Sequence, residues 1–458
     1  MVGKEKQSLK VFMLPWLAQG HITPFLELAK RLSRYNFQTY LCSTPANLTS
    51  FKGKIPEKYS HHVHLVELHL PSSPELPPHC HTTNGLPINR HPALRKALQS
   101  SKPRLSELLE ELRPDFVLHD IILTWVGTVA SRHGIPAASF FTAGAAMFSY
   151  FLHVMTRPGV DYPFPELRLS DFEFSMVRRT ADSYEEEEKD PDHAEIRDPS
   201  RGPGVIFLNT SREVEGKYID YLCELMNMEL KPVGAMIQEP SPAGGGDDHE
   251  GMEIIRWLDR KEESSTVFVS FGSEYFLNKK DIEEIAHGLE LSKANFIWVI
   301  RFPKGEEVDV SEVLPKGFVE RVGDNKGKIV EKWAPQAKIL NNSSIGGFVS
   351  HCGWNSLMES IDFGVPIIAM PMHLDQPMNA KLVVDLGVGV EVKRDEKGRL
   401  QRNEISRMIR YVLGKENGDC LRRKAREHGD KMRVRSREEM DGVVLKLQEL
   451  CGKSFYEN

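Results

Sequence analysis

Trp333 can stack on a planar base, and Ala334 and Gln336 beside it offer polar contact. The apolar run 345–349 that follows reads as a strand. After it the polar turn Ser350-His351-Cys352-Gly353-Trp354-Asn355-Ser356 opens a helix ending near Gly364. Gly353, Asn355 and Ser356 thus stand at a helix start, where free backbone N–H groups and the positive dipole end bind phosphate. Glu359, nearly one turn beyond Ser356, can accept from ribose hydroxyls. A second apolar strand, 365–371, leads to Asp375 and Gln376, a carboxylate and an amide suited to two adjacent sugar hydroxyls. Along 333–376 the chain therefore offers a contact for each part of a nucleotide sugar.

A second reactive pair lies in the first half. His21, in PWLAQGHITP, follows the first strand and precedes the first helix, the end of an open α/β sheet at which ligands bind. A histidine base works best when a carboxylate fixes its tautomer and stabilises the imidazolium. Asp120, in PDFVLHDIILTW, ends another parallel strand and can face the same ligand. Strand alternation turns the adjacent His119 to the other face; it would replace Asp120 only if the register slipped.

These residues need a scaffold of parallel strands. The runs 10–16, 37–43, 64–69, 116–119, 137–141 and 205–209 read as buried strands separated by helical patterns such as 24–33, with Pro24 near its start. The run QEPSPAGGGDDHEG, 238–251, is the best linker. Beyond it the alternation restarts with strands at 266–271, 296–301 and 327–331 and a helix at 280–291. The expected fold class is α/β: two doubly wound, Rossmann-like domains facing a cleft, one spanning 1–237 and the other 252–439.

At 458 residues the chain suits two domains. A net charge of −6 without a basic run argues against nucleic acid and anionic membrane surfaces as partners. The 6 scattered cysteines and a polar N-terminus predict free thiols in the cytoplasm. The stretch 135–155 is long enough to span a bilayer, but Pro136, Gly144 and its small polar residues favour a buried strand turning into a core helix. Asp190-Pro191-Asp192 imitates a metal-binding DxD within an acidic, Pro-broken loop. His79 and His81 lack zinc spacing, so no metal is expected.

The segment 333–376, from Trp-Ala-Pro-Gln through His-Cys-Gly-Trp-Asn-Ser to Asp-Gln, resembles the signature box of plant family-1 UDP-dependent glycosyltransferases. That resemblance implies the GT-B architecture, with a last helix at about 440–458 packing back on the first domain. It assigns the catalytic base to His21 and its orienting acid to Asp120. It places phosphate contacts at His351, Asn355 and Ser356, helped by Ser273 in FVSFGSE, and it matches Trp354 and Gln376 to the glucose-using pattern. UDP-glucose would be a co-substrate and no cofactor would be needed, fixed donors standing in for a metal. The loop PPHCHTTNGLP resembles an acceptor-pocket loop, giving His81, Thr82, Thr83, Asn84, Gly85 and Leu86, with Trp16, as acceptor-binding residues. Together with VSFGSEYFLNKKD and its Glu274, it resembles the branch that extends a sugar already on a plant glycoside. The expected enzyme is an inverting, monomeric glucosyltransferase acting on a terpenoid or flavonoid glycoside. A transferase for bare aglycones and a non-catalytic UDP-sugar-binding protein are the alternatives. The stretch 118–125 departs from the usual Tyr-Asp and Gln-Pro-Trp pattern, although Asp120 itself is kept.

Overall fold

A computed structural model describes residues 8–52, 55–177, 204–238, 249–303, 309–331 and 333–452. Among the described residues thirteen strands form two sheets of 7 and 6 strands, ordered β3-β2-β1-β4-β5-β6-β7 and β10-β9-β8-β11-β12-β13. The first sheet comprises β1 (Lys10–Leu14), β2 (Gln38–Ser43), β3 (Val63–Glu67), β4 (Phe116–Asp120), β5 (Ala137–Phe141), β6 (Val205–Leu208) and β7 (Glu229–Pro232). The second comprises β8 (Thr266–Ser270), β9 (Asn295–Val299), β10 (Gly327–Val330), β11 (Ile345–Ser350), β12 (Ile367–Ala369) and β13 (Gly389–Glu391). Every pairing within each sheet is parallel.

Parallel strands need crossovers, and the crossing helices cover both faces, which is why these strands read as near-continuous apolar runs. In β1, Val11 and Met13 face a core with the helix Gln19–Ser33, while Phe12 and Leu14 face Leu105, Leu108 and Trp125 on the other side. The second sheet repeats the device. Val267, Val269 and Trp298 pack against helices Lys279–Ser292 and Arg402–Leu413, and Phe268, Ile297 and Phe348 pack against Ile254 and Leu258. Each fully buried large side chain contributes about 1.5–3 kcal/mol, so the two-sided cores carry the stability of each sheet.

The chain divides into two compact units. Among the described residues, 8–145, 204–236 and 435–452 form one, and 146–177 with 237–434 the other. The first-half segment 146–177, placed within 1–237 by the sequence, thus packs in the second unit. Glu173 explains part of this: its Oε1 lies 2.6 Å from Lys381 Nζ, and Lys381 also pairs with Glu391 at 3.0 Å. Phe172 closes over Gly398, where a Cβ would lie 2.2 Å from its ring.

The 36-residue helix Lys415–Leu450 contributes to both units. Its Met440, Val443, Val444 and Leu447 complete the first unit's core, and Glu439 Oε1 accepts from Ser211 Oγ and from the Arg212 backbone N–H, each at 2.9 Å. The stretch 135–155 becomes β5 and the helix Ala145–Thr156, and no described helix is long and apolar enough to cross a membrane. Residues 249–251, read as linker, open the helix His249–Leu258. The rest of that linker from 239, the acidic run 183–192 with its DxD imitation, and 453–458 of the terminal helix range lie outside the described residues.

Candidate active site

In an open α/β sheet, ligands bind beyond the carboxyl ends of the strands at the point where the strand order reverses. In the first sheet that point lies between β1 and β4; in the second it lies between β8 and β11. The residues singled out from the sequence converge on these places.

His21 enters from the loop after β1, in the first turn of Gln19–Ser33, and Asp120 is the last residue of β4. His21 Nδ1 and Asp120 Oδ2 are 2.7 Å apart, with the carboxylate side chain fully buried and the imidazole 30% exposed. A buried carboxylate is tolerated only when its oxygens are hydrogen-bonded. Here Oδ2 also accepts from Trp16 N at 3.2 Å, and Oδ1 accepts from Ile122 N at 3.3 Å. The carboxylate therefore holds the proton on Nδ1, which makes Nε2 the basic nitrogen. Thr142 Oγ1 stands 3.0 Å from the same Nδ1 and steadies the ring from β5's end. His119 turns away as alternation requires: it is buried, and its Nδ1 bonds its neighbour's carbonyl oxygen at 2.9 Å. Burial lowers its pKa and keeps it neutral.

The loop expected to meet the acceptor is largely framework. His81, Thr82, Thr83 and Leu86 are buried, whereas Asn84 and Gly85 are partly exposed. Thr83 N donates to Leu17 O at 3.1 Å, His81 Nε2 lies 3.2 Å from Leu76 O, and Asn84 N donates to Thr82 Oγ1 at 3.1 Å. Gly85 supplies the positive φ of 78° that closes the turn. The loop is thereby tied to the 16–18 segment that leads to His21. Trp16 is buried, with the Arg95 guanidinium 5.6 Å from its ring centre.

At the second sheet's reversal, the loops after β8 and β11 meet around His351. A Cβ on Gly272 would lie 2.8 Å from His351 Nε2, and one on Gly353 2.6 Å from it, so both positions must lack a side chain. Burial pushes the His351 imidazole down to about 3, and it is neutral at physiological pH. Gly353 caps the helix Trp354–Asp362, whose first turn presents Trp354, Asn355 and Ser356. Gln336, expected beside the base, instead turns its amide inward. Its Nε2 donates to Ser356 Oγ at 3.1 Å and to Glu359 Oε2 at 2.7 Å, fixing the acid expected at the ribose. Trp333 is 51% exposed, Ala334 is buried, and Ser273 follows Gly272 half-buried. Asp375 Oδ2 accepts from Asn379, and Gln376 Oε1 accepts from the backbone N–H groups of Met372 (2.9 Å) and His373 (3.0 Å).

Sequence reasoning missed Thr142 and Arg301, whose guanidinium lies 5.6 Å from the Trp333 ring centre. Both follow strands, β5 and β9, that lie one place out from the pair bracketing a reversal point. Their positions carry a signal once strand order is known, and none before.

This combination of two doubly wound sheets, a buried-acid histidine at one reversal point and a glycine-lined helix start at the other, defines the GT-B class of glycosyltransferases. Comparison agrees. Residues 246–421 match the family described as UDP-glucoronosyl and UDP-glucosyl transferase, and 7–236 match the glycosyltransferase N-terminal domain. A beta-D-glucosyl crocetin beta-1,6-glucosyltransferase from Gardenia jasminoides is 50% identical over 96% of this chain and 98% of its own. A mogroside IIIx synthase from Siraitia grosvenorii is 47% identical over 98% and 94%. Among solved structures, a Glycyrrhiza uralensis enzyme complexed with glycyrrhetinic acid 3-O-monoglucuronide superposes with a TM-score of 0.80 at 23% identity, covering 97% of this chain and 96% of its own. Phytolacca americana UGT2, complexed with UDP-2fluoro-glucose and pterostilbene, gives 0.75 at 27%, covering 96% and 100%. The chain belongs to the plant family-1 UDP-glycosyltransferases, and it is an enzyme of that class.

Proposed function

We propose that the enzyme transfers glucose from UDP-glucose to a hydroxyl on the sugar of a plant glycoside, extending or branching that sugar with inversion at the anomeric carbon. The observation that carries this reading is the 50% identity, over nearly the whole of both chains, to an enzyme named for adding glucose to a glucosyl crocetin.

His21 Nε2 takes the acceptor proton as the hydroxyl oxygen attacks the anomeric carbon and the diphosphate departs, and the imidazolium so formed is stabilised by Asp120, which is buried and hydrogen-bonded. Charge developing on the departing diphosphate meets the N-terminus of Trp354–Asp362 and the side chains of Ser273, His351, Asn355 and Ser356. Trp333 stacks on uracil, with Ala334 beside the base; Glu359, oriented by Gln336, accepts from ribose. Gly353 keeps the backbone approach open, and Trp354, Asp375 and Gln376 hold glucose. A glucuronate donor would call for an arginine at the sugar, and 350–376 contains none. These fixed donors replace a metal. Trp16 and the 81–86 loop bound the acceptor side. Its six free cysteines support placing it in the reducing cytoplasm, and we take it to act as a monomer.

Product mass spectrometry with UDP-glucose tests this, run with chelator and without added metal, on aglycones paired with their monoglucosides. Gain of one hexose on the glucosides alone is expected. Hexose on the aglycones instead would overturn the sugar-extending reading, and dependence on a divalent cation would overturn metal independence.

A further inference from the structure

Gln376 has a fixed amide orientation. Both neighbours of its side-chain oxygen are backbone N–H donors, those of Met372 and His373, so Oε1 must be the acceptor and Nε2 is turned the other way. The residue is 3% exposed, and both hydrogen bonds described for its amide fall on Oε1. The direction of Nε2 is set by the 371–376 backbone. What holds this backbone lies outside the loop. The His373 ring packs against the Tyr275 ring in a tilted contact, with centroids 5.0 Å apart and planes at 31°. Tyr275 belongs to the loop after β8, two residues beyond Ser273. The contact therefore joins the loop at the phosphates to the loop at the sugar. Arg394 braces the same backbone from below, donating to Pro371 O at 3.0 Å.

His373 is an unusual choice for such a contact. Its Nε2 is buried without a hydrogen-bond partner, and burial pushes the imidazole down to about 4, so it serves as a neutral ring at physiological pH. A partnerless buried nitrogen is costly, and the ring contact and the loop geometry must offset it.

We propose that Tyr275 and His373 are positioning residues for the donor sugar: their ring contact fixes the loop that aims Gln376 Nε2 at a hexose hydroxyl. This rests on the reading of Gln376 as a sugar contact. The pair acts on the sugar and not on the nucleotide, which separates it from a general structural role. A loop loosened at 371–376 still binds UDP, because base, ribose and phosphate contacts lie elsewhere.

Steady-state kinetics with UDP-glucose, alongside inhibition by UDP alone, tests the pair. Tyr275→Ala and His373→Ala should each raise the KM for UDP-glucose about tenfold while the UDP inhibition constant stays within about twofold. Preserved UDP inhibition also shows that the variants fold. Tyr275→Phe and His373→Phe keep a ring for this contact and should stay near wild type. In a Gln376→Ala background, His373→Ala should add nothing further. Equal weakening of UDP and UDP-glucose, failure of the phenylalanine variants, or full additivity with Gln376→Ala would each overturn the proposal. If Gln376→Ala alone leaves the KM for UDP-glucose unchanged, the sugar-subsite reading fails first and the pair's role falls with it.

Discussion

His21 and Asp120 are 99 residues apart in sequence and 2.7 Å apart in space. They differ in exposure: the imidazole is partly open to solvent, and the carboxylate is sealed among three donors. His21→Ala should lower kcat by about 10²–10⁴ and leave UDP binding intact, measured by turnover beside UDP titration. Asp120→Asn keeps the shape but lets an amide N–H face Nδ1, favouring the wrong tautomer, so kcat should fall by a comparable factor with little change in KM. Undiminished turnover in either variant would remove the residue from proton transfer. Both residues were legible because each sits at the carboxyl end of a recognisable strand. Thr142 was not, since one threonine after an apolar run carries no pattern of its own.

At the scale of elements, the loops after β8 and β11 work only because two glycines let backbone close on His351. Gly272 has a φ of 79°, which L side chains rarely adopt, and a Cβ there would also meet the imidazole. Gly272→Ala should therefore strain the loop by about 1–3 kcal/mol and displace His351, raising the donor KM about tenfold or more with acceptor KM little changed. Isothermal titration with UDP checks it, and unaltered affinity would place the phosphates away from this loop. The strands that sequence reading missed have a common physical reason. β7 (ELKP) and β13 (GVE) each lie at one edge of their sheet and are short. Edges are kept short, charged or proline-bearing to block further pairing, and so they lack the apolar run that marks a central strand.

The whole molecule depends on how the C-terminal helix is received. Its stripe Met440, Val443, Val444 and Leu447 enters the first unit's core, and Glu439 accepts from Ser211 and Arg212. Glu439→Ala should cost about 1–3 kcal/mol by leaving two buried donors unmatched. Burial raises the Glu439 carboxyl above its ordinary 4.5, against the hydrogen bonds that lower it. The folded form then holds this proton more tightly than the unfolded chain does. The group's contribution to stability is therefore lost as pH rises from 4.5 through the raised value. Glu439→Gln keeps an acceptor oxygen without the charge. Thermal melts should show it at or above wild type at pH 8, the gap closing towards pH 5. A glutamine variant that melts lower at every pH would show that the charge itself stabilises.

The sequence by itself determined the parallel α/β class and set His21, Asp120 and the loop glycines at strand ends and helix starts, because strand alternation, helix starts and turn residues act over a few neighbouring positions. Tertiary structure alone decided the rest. Segment 146–177 packs with the second unit through Glu173, Lys381 and Phe172, contacts between positions distant in sequence that local pattern does not encode. Gln336 bonds Ser356 and Glu359, and the His81 and Thr82 side chains bond within their own segment, because hydrogen-bond partners are fixed only when the chain has folded. The same holds for Tyr275 and His373: nearly a hundred residues separate them, and only the adjacency of the loops they occupy brings one ring against the other.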